Sequence, residues 1–551
     1  MLPIKKTLKH KGNKNPKYIF VVGGVMSGVG KGIASSSIGK LLQSRGLEVT
    51  SLKIDPYVNV DAGTMNPTEH GEVFVLDDGT ECDQDMGNYE RFLDRNLAGT
   101  NYMTTGSVYL SVIQRERNLG YKGNCVSVVP HIPLEVISRI DNAADKSMAD
   151  IVITEIGGTV GEYENILFME AVRILKLKKP NDVLVILVSY LPTQGKDTEL
   201  KTKPTQHAVR ALSATGIQPD IIIARAVVSL DRKRKEKIAF NCNIRQEDVI
   251  SAPNVESIYD VPINFERDHI SSIILDKLKL KTNKFNMREW LNFVKKTKKA
   301  SKTVRIGIVG KYFSTGSFVL GDSYISVTEA LKHAGAKLQN KVEISWLDAE
   351  DKLLLKKLTR FDGIIVPGGF GKRGVEGKIS VIRFCRQQKI PYFGLCYGMQ
   401  LMVVEYARNI CGLKRAQTTE IDETTPHPVI DILPEQKKNI AEKNYGASMR
   451  LGIYPTSLKR GTIAYRAYRD HLISERHRHR YEVNPRYIES LEKGGLMFSG
   501  FSPDHKLMEI AELPQSQHPF FLGTQFHPEF KSRPLSPHPL FVAFIRATSN
   551  K

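Results

Sequence analysis

Short apolar runs recur along the chain in two series, and polar or glycine-rich residues bound each run. In the first half they lie at 18–24, 48–55, 150–158, 182–190 and 220–226. In the second half they lie at 304–310, 341–348, 361–369, 390–396 and 520–526. Continuous apolar runs of this length are typical of parallel strands that helices cover on both faces. The pattern therefore predicts two tandem α/β domains, each with a mostly parallel sheet between layers of helices.

A lysine-rich stretch at 278–302 separates the two series and predicts a linker that contains one amphipathic helix. We expect Trp290, Leu291 and Phe293 of this helix to pack on a neighbouring surface. The predicted organisation is a lysine-rich tail at 1–17, a first domain at 18–280, a linker at 281–302 and a second domain at 303–551.

The composition excludes several classes of protein. No apolar run approaches the roughly 20 residues of a spanning helix, and the tail lacks the apolar core of a secretory signal. We therefore expect a cytoplasmic protein with no membrane partner and interpret the tail as disordered. The net charge of +20 comes largely from lysine clusters without interleaved aromatic residues, so we expect a solvated surface and no nucleic-acid partner. The six cysteines form no CxxC pair, which argues against a disulfide scaffold or a zinc site.

The stretch GGVMSGVGKGI (23–33) follows the first apolar run and has the composition of a phosphate-binding loop. Its glycines allow backbone N–H groups to converge on phosphate oxygens at the start of a helix, and Lys31 adds a positive charge. The loop departs twice from the pattern G-x-x-x-x-G-K-[ST]. Val25 stands at the position of the first glycine, and Gly32 replaces the hydroxyl residue that holds magnesium.

Acidic residues elsewhere are needed to replace that hydroxyl if the loop binds a magnesium nucleotide. Glu155 lies within the apolar run DIVITEIGG, where a carboxylate is costly unless it is paired or bound to a metal. We therefore expect Glu155 to be a magnesium ligand. The segment LDDGTECDQD (76–85) offers further acids, and their spacing does not choose among Asp77, Asp78, Glu81, Asp83 and Asp85.

The segment IPYFGLCYGMQLMVVEYA (390–407) has the pattern of a strand, a sharp turn and a helix, with Cys396 at the turn. This is a nucleophile elbow with cysteine in place of serine, and the helix N-terminus favours the thiolate. A lone cysteine is more often a small buried apolar residue, but the flanking glycines favour a nucleophile. The backbone N–H of Tyr397 and the segment PGG (367–369) are candidate donors to an oxyanion.

The segment QFHPEF (525–530) supplies a candidate base and its partner. Residues two apart lie on the same side of an extended chain, so Glu529 is expected to orient His527. Cys396, His527 and Glu529 then predict attack on a carboxamide, a thioester intermediate and release of ammonia. A phosphate site and an amidase site in one chain predict an ATP-driven amination.

The second site resembles that of class I glutamine amidotransferases in GLCYGMQ (394–400) and QFHPEF. Nearly the whole chain beyond the tail resembles the CTP synthase family. The motifs that carry this resemblance are GGVMSGVGKGI, KIDPYVNVDAGTMNPTEHGEVFV (53–75), TEIGGTVGE (154–162), KTKPTQH (201–207) and RHRHRYEVN (476–484). It implies a P-loop domain like that of dethiobiotin synthetase, followed by a class I glutamine amidotransferase domain.

The resemblance implies roles for the residues at matching positions. ATP is expected to contact Gly28, Val29, Gly30, Lys31, Gly32, Ile33, Lys53 and Asp85, with Mg²⁺ held by Asp85 and Glu155. UTP, or the product CTP, is expected to contact Ser27, Glu162, Tyr163, Glu164, Lys201, Thr202, Lys203, Pro204, Thr205, Gln206 and Lys237. Glutamine is expected to contact Gly369, Tyr397, Gly398, Met399, Gln400, Glu420 and Arg480. Without the resemblance, Lys237 and the run RHRHR (476–480) are interpreted as exposed charge.

The implied reaction converts UTP to CTP. ATP phosphorylates O4 of the uracil ring, and ammonia released from L-glutamine displaces the phosphate, giving CTP, ADP and inorganic phosphate. Family members are homotetramers whose UTP and ATP sites lie at subunit interfaces. GTP activates the glutaminase half of these enzymes, and CTP inhibits the synthetase half. The segment GGFGKRGVEGK (368–378), with Lys372 and Arg373, is a candidate GTP-responsive lid.

Two residues depart from the family pattern, since Gly28 and Tyr397 stand where many relatives have serine and leucine. We expect Tyr397 to act through its N–H, with little contribution from its side chain. The tail and the loop 193–200 have no assigned role. Two alternative functions remain open at this point: an ATP-dependent amidotransferase acting on another carbonyl, and a non-enzymatic P-loop protein of the partitioning or filament-forming kind.

Overall fold

The computed structural model describes residues 15–193, 199–282, 284–310, 314–315, 318–319, 321–432 and 449–549. Most of the tail (1–14) and the centre of the loop 193–200 lie outside these residues. The chain forms two compact units. The first extends to Asp61 and resumes with Asn88–Arg288, and the second consists of Ala62–Gly87 and Glu289–Lys551.

The first unit contains a seven-stranded sheet in which all neighbouring strands are parallel. In spatial order its strands are Tyr102–Thr104, Val49–Asp55, Ile151–Ile156, Lys17–Gly23, Val183–Tyr190, Ile221–Ala226 and Val249–Pro253. The central strands are buried along their length, as their continuous apolar sequences predict. The two edge strands were not predicted from the sequence.

The helices of the first unit pack against this sheet or against one another. They are Lys31–Ser44, Thr105–Arg117, Val128–Ser147, Ile166–Lys178, Lys203–Ala214, Arg232–Cys242, Val261–Arg267 and Ile270–Lys277, and the helix Asp85–Leu93 crosses the boundary after Gly87. The strand Lys17–Gly23 lies at the centre of the sheet. The loop that follows it therefore emerges at the carboxyl edge, where α/β sheets bind ligands.

The second unit contains a nine-stranded sheet, with spatial order Asn340–Asp348, Lys302–Gly310, Gly363–Val366, Tyr392–Leu395, Phe521–Thr524, Met508–Glu512, Met497–Phe501, Arg450–Leu458 and Leu472–His479. The first five strands are parallel, and the remaining pairings are antiparallel. The prediction of two mostly parallel α/β domains is confirmed, although the antiparallel extension was not predicted.

The other elements of the second unit surround this sheet. Its helices are Pro67–His70, Ile325–Leu338, Leu354–Lys357, Val375–Gln388, Tyr397–Asn409, Ile463–Tyr468, Ile488–Lys493 and Pro539–Ser549, and a linker helix, Arg288–Lys298, enters it. Small sheets consist of Val73–Val75 with Glu81–Asp83, Ser314–Thr315 with Phe318–Val319, and Gln417–Thr418 with Pro428–Ile432 and Tyr481–Val483.

The hairpin Val73–Val75/Glu81–Asp83, hereafter the acidic hairpin, belongs to the second unit although it lies within the predicted first-domain range of 18–280. Its connecting turn binds a strand of the large sheet, since Ile453 N donates to Asp77 O over 2.9 Å. The ring of Phe74 also packs edge-on against Phe530, with centroids 4.9 Å apart. These partners lie far along the chain and leave no local sequence pattern.

The linker helix buries Trp290 and Phe293, as predicted, but Leu291 is 46% exposed. The prediction that Leu291 packs on a neighbour was wrong. Residues 290, 293 and 294 share one face of a helix with 3.6 residues per turn, and residue 291 lies about 100° away from residue 290.

Among the described residues, no helix has both the length and the apolar content that a membrane crossing requires.

Candidate active sites

The glycine-rich loop of the first unit leads into the helix Lys31–Ser44, as its sequence predicts. Gly30 precedes this helix with φ 88°, and Gly28 has φ 68°. The Lys31 ammonium donates to the carbonyl of Gly158 over 2.8 Å, which holds this charge beside the loop. Val29 and Gly32 are buried, Gly30 and Ile33 are half-buried, and Ser27 and Gly28 are exposed.

Val25 has φ 79°, a left-handed conformation that is costly for a β-branched residue. The phosphate-loop pattern has its first glycine at this position. The backbone therefore keeps a conformation that suits glycine although the side chain has changed.

Arg225 is a further cation beside the loop that the sequence analysis missed. A Cβ atom on Gly30 would lie 2.8 Å from Arg225 Nη1, and Arg225 Nη2 donates to Asn254 Oδ1 over 3.2 Å. The buried Nε of Arg225 has no hydrogen-bond partner among the described residues. Arg225 could have been identified from the sequence, because it is a charged residue inside the apolar run DIIIARA (220–226). The same signal identified Glu155.

Glu155 lies on the strand Ile151–Ile156 and is 1% exposed. It is the register partner of Lys53 on the adjacent parallel strand, and Lys53 Nζ lies 2.9 Å from Glu155 Oε1. Lys53 Nζ also lies 3.6 Å from Asp55 Oδ1, and the Tyr89 hydroxyl donates to Glu155 Oε2. The Lys53 ammonium and the Tyr89 hydroxyl thus offset the free-energy cost of burying the Glu155 carboxylate.

Asp85, the other expected magnesium ligand, begins the helix Asp85–Leu93 and belongs to the second unit. Its N–H donates to Asp83 Oδ1 over 2.8 Å. Among the described residues, no group of three or more His, Cys, Asp or Glu side chains is arranged to hold a metal ion.

Apart from Ser27 in the glycine-rich loop, the residues expected to contact UTP lie in three places in the first unit. Glu162, Tyr163 and Glu164 follow the strand that carries Glu155 and are exposed, and Glu162 accepts from Thr159 N over 2.7 Å. Lys237 is exposed on the helix Arg232–Cys242.

The third place is the start of the helix Lys203–Ala214. Lys203 is exposed, Pro204 is half-buried, and Lys201 pairs with Glu199 over 2.7 Å. Gln206 donates to Thr202 Oγ1 over 3.2 Å, while its buried Oε1 has no hydrogen-bond partner among the described residues. Thr205 Oγ1 accepts from Ser189 Oγ over 2.9 Å.

Cys396 of the second unit lies at a strained turn between a strand and the helix Tyr397–Asn409, with φ 49° and ψ −100°. Glycine is required on both sides of this turn, because neighbouring backbone atoms lie too close to leave room for a side chain. A Cβ on Gly394 would lie 2.7 Å from the carbonyl carbon of Gly398, and one on Gly398 would lie 2.1 Å from Val366 O. The predicted nucleophile elbow is present in the structure.

His527 and Glu529 form a hydrogen-bonded pair, with His527 Nδ1 2.7 Å from Glu529 Oε1. Burial opposes the charged imidazolium, but the negative charges of Glu529 and Cys396 raise the pKa of His527 to about 10. The two residues are not on an extended strand, because Pro528–Lys531 form a turn of 3₁₀ helix. The predicted pairing is therefore present, but the reason given for it, alternation along a strand, was wrong.

A cavity of about 210 Å³ within the second unit brings Cys396 and His527 together with Gly369, Phe370 and Arg480. Its volume suits a small polar molecule. The ring of His527 stacks on Phe530 with centroids 5.0 Å apart, and the buried His527 Nε2 has no hydrogen-bond partner among the described residues. An imidazole and a thiol at one cavity are equipped for acyl transfer.

Other residues expected to contact glutamine surround the elbow. Gln400 Nε2 donates to Tyr481 O over 2.9 Å, and Glu420 Oε1 accepts from Gly371 N over 2.6 Å. Met399 is fully buried and packs close to Gly523, so its side chain belongs to the core.

The run RHRHR lies on and just after the strand Leu472–His479, and its members are buried or half-buried. Its interpretation as exposed charge from residue pattern alone was wrong. The carbonyl of Arg476 accepts from His527 N over 2.8 Å, and that of Arg478 lies 3.8 Å from Cys396 Sγ. Their guanidinium groups pair with Asp77 and Glu81 of the acidic hairpin, at 2.6 and 2.7 Å.

Comparison with known proteins gives two family matches. Residues 17–280 match the family described as CTP synthase N-terminus, and residues 319–547 match glutamine amidotransferase class-I. A CTP synthase of Caldanaerobacter subterraneus subsp. tengcongensis is 51% identical over 538 residues, covering 97% of this chain and 98% of the relative. A CTP synthase of Halalkalibacterium halodurans is 49% identical over 539 residues, covering 97% and 99%. The glutaminase domain of Trypanosoma brucei CTPS, solved with bound acivicin, is 37% identical, with a TM-score of 0.41, and the match covers 45% of this chain and 94% of that chain.

Proposed function

Because the chain belongs to the CTP synthase family, we propose that the two sites are its synthetase site and its glutaminase site. The enzyme converts UTP to CTP in an ATP-dependent reaction with glutamine as the nitrogen donor. The observation that carries the assignment of the second site is the strained elbow of Cys396 at one cavity with the His527–Glu529 pair. A partitioning protein has no use for this arrangement.

Cys396 is the nucleophile in the proposed glutaminase reaction. Its thiolate attacks the carboxamide carbon, and the N–H groups of Tyr397 and Gly369 stabilise the oxyanion. His527 gives its proton to the leaving nitrogen as the C–N bond breaks and ammonia departs. Water then attacks the thioester with His527 as base, which frees glutamate and restores the thiol. Glu529 orients the imidazole throughout, and Glu420 and Arg480 bind the ammonium and carboxylate of glutamine.

The glycine-rich loop is the proposed ATP site. Lys31, Lys53 and Arg225 supply positive charge around backbone N–H groups at a helix N-terminus, an arrangement that suits a triphosphate. Phosphorylation of O4 of the uracil ring makes a leaving group at C4. Ammonia then forms the C–N bond as the C–O bond to phosphate breaks, and this exchange produces CTP.

Asp85 and Glu155 are the proposed magnesium ligands. The donor chemistry fits, since Glu155 carries an oxygen pair beside the lysine expected to contact phosphate. The described residues include no self-sufficient cluster of metal-binding side chains, so phosphate oxygens would complete the coordination. When bound, Mg²⁺ would neutralise negative charge on the phosphates.

The UTP site is proposed to form between subunits of a homotetramer. Tyr163 is 92% exposed, and large apolar side chains at Val58, Leu110 and Ile113 are also exposed in the single chain. Exposed apolar groups of this size favour burial by another copy. We also propose a cytoplasmic location, activation by GTP and feedback inhibition by CTP.

The test is CTP formation from UTP and ATP with either glutamine or ammonia as nitrogen source. Both donors should give CTP, and other nucleotides in place of UTP should give no aminated product. Failure to form CTP from UTP with ammonia would overturn the synthetase assignment. Light scattering with and without UTP and ATP tests the tetramer, and a persistent monomer would contradict it.

A further inference from the structure

Tyr397 directly follows the nucleophile, and its phenol ring is 1% exposed. Its hydroxyl donates to the carbonyl of Gly371 over 2.9 Å. The sequence analysis assigned this side chain little contribution, whereas the structure places its hydroxyl on the loop that faces Cys396 across the cavity.

Both backbone polar groups of Gly371 hold the loop 367–371 in place. The N–H of Gly371 donates to Glu420 Oε1 over 2.6 Å, while its carbonyl accepts from Tyr397. Gly369 and Phe370 of the same loop line the cavity with Cys396. The position of Gly371 therefore affects both the proposed oxyanion donor Gly369 and the proposed ammonium ligand Glu420.

The ring of Tyr397 also contacts the helix Val375–Gln388, which follows the loop. Lys378, at the first turn of that helix, is fully buried, and its ammonium lies 5.3 Å from the centroid of the Tyr397 ring. A desolvated ammonium over an aromatic face is a favourable contact. Tyr397 thus holds the glycine-rich loop through its hydroxyl and the helix after it through its ring.

We propose that Tyr397 is a positioning residue for glutamine binding and that it acts through its hydroxyl. It fixes Gly371, and Gly371 in turn fixes the Glu420 carboxylate that receives the substrate ammonium. This inference rests on the proposed glutamine site. A side chain without a hydroxyl at position 397 would have no hydrogen bond to offer the carbonyl of Gly371.

The experiment compares Tyr397→Phe with Tyr406→Phe in the full-length enzyme. Tyr406 lies on the same helix and donates to Gly494 O over 2.8 Å, so it matches the deleted bond in type but lies away from the loop. Tyr397→Phe should raise KM for glutamine about three- to ten-fold, the size expected for one lost hydrogen bond, with kcat changed less than about two-fold. Tyr406→Phe should leave KM for glutamine unchanged.

Ammonia-dependent CTP formation, measured in the same variants, reports on folding outside the glutamine site and should stay at the wild-type rate. An unchanged KM in Tyr397→Phe, with a raised KM in Tyr397→Leu, would show that only the ring packing matters and would overturn the inference. Equal losses with glutamine and ammonia would overturn it as well. If the wild-type enzyme fails to use glutamine, the proposed function itself has failed, which is a separate outcome.

Discussion

Arg478 and Glu81 form an ion pair in which Nε and Oε1 lie 2.7 Å apart, although 397 residues separate them along the chain. The carbonyl of the same arginine lies 3.8 Å from Cys396 Sγ. One residue therefore contacts the acidic hairpin with its side chain and the nucleophile with its backbone. The hairpin leads directly into Asp85, a proposed ligand of the synthetase site.

Glu81→Gln should lower kcat/KM for glutamine about three- to ten-fold, because a half-buried guanidinium loses its charged partner and the strand beside Cys396 loosens. Steady-state glutamine hydrolysis measures the effect. Glu343→Gln is the control, since Glu343 pairs with Lys341 at the exposed surface. Equal kinetics for the two variants would contradict the role given to the hairpin.

Cys396→Ala should abolish glutamine-dependent CTP formation and leave ammonia-dependent formation intact. The thioester cannot form without the sulfur, whereas added ammonia needs no hydrolysis step. Parallel assays with the two nitrogen donors check this. Loss of both activities would mean that the alanine damages more than the nucleophile.

The Glu529–His527 pair predicts a pH dependence. The pKa of His527 is raised to about 10, so its imidazolium is available through neutral pH and is lost as the pH rises through that value. Glu529→Gln removes one negative charge and should lower this pKa. The alkaline limb of kcat/KM for glutamine should therefore move to lower pH, with a loss of about 10- to 100-fold at its optimum. Superimposable pH profiles would refute the assignment of Glu529.

Lys31→Ala should abolish CTP formation with either nitrogen donor, because the loop loses the charge that Gly158 holds beside it. Glutamine hydrolysis measured alone should continue, since Cys396 and His527 are untouched. Lys178→Ala, at an exposed lysine of the same unit, provides the comparison and should keep full activity. CTP formation by Lys31→Ala at the wild-type rate would remove Lys31 from the ATP site.

Val25→Gly should raise the free energy of unfolding by up to about 1 kcal/mol, because relief of the left-handed strain exceeds the added chain entropy. Met26→Gly, at the adjacent exposed residue with an ordinary φ, should instead lower it. Urea unfolding of both variants provides the measurement. A loss of stability in Val25→Gly would show that the valine side chain contributes contacts that outweigh its strain.

Sequence reasoning was most successful where chemistry and local pattern coincide. The apolar runs predict the central parallel strands, and the glycine spacing predicts the turn at Cys396. Glu155 was singled out because a carboxylate in an apolar strand needs a partner; the structure places Lys53 beside it, and its role as a magnesium ligand stays a prediction. The same argument, applied to Arg225, would have added it to the ATP site.

The remaining errors share one physical cause, which is that partners distant in sequence decide burial. The run RHRHR has the composition of a surface segment, but Asp77 and Glu81 neutralise two of its arginines inside the second unit. The hydrogen bond of the Tyr397 hydroxyl was not predicted because its partner is a backbone carbonyl in another loop, and no residue pattern marks such a bond.

The acidic hairpin also has a consequence for how the protein is made. Asp77 and Arg476 are 399 residues apart, so the hairpin is synthesised roughly 20 to 80 s before its partner at translation rates of 5–20 residues per second. A two-stranded hairpin is marginally stable alone. The second unit therefore cannot finish folding until the ribosome has nearly completed the chain, and a gene cut between the two halves would place the acidic hairpin on a different polypeptide from the rest of the second unit.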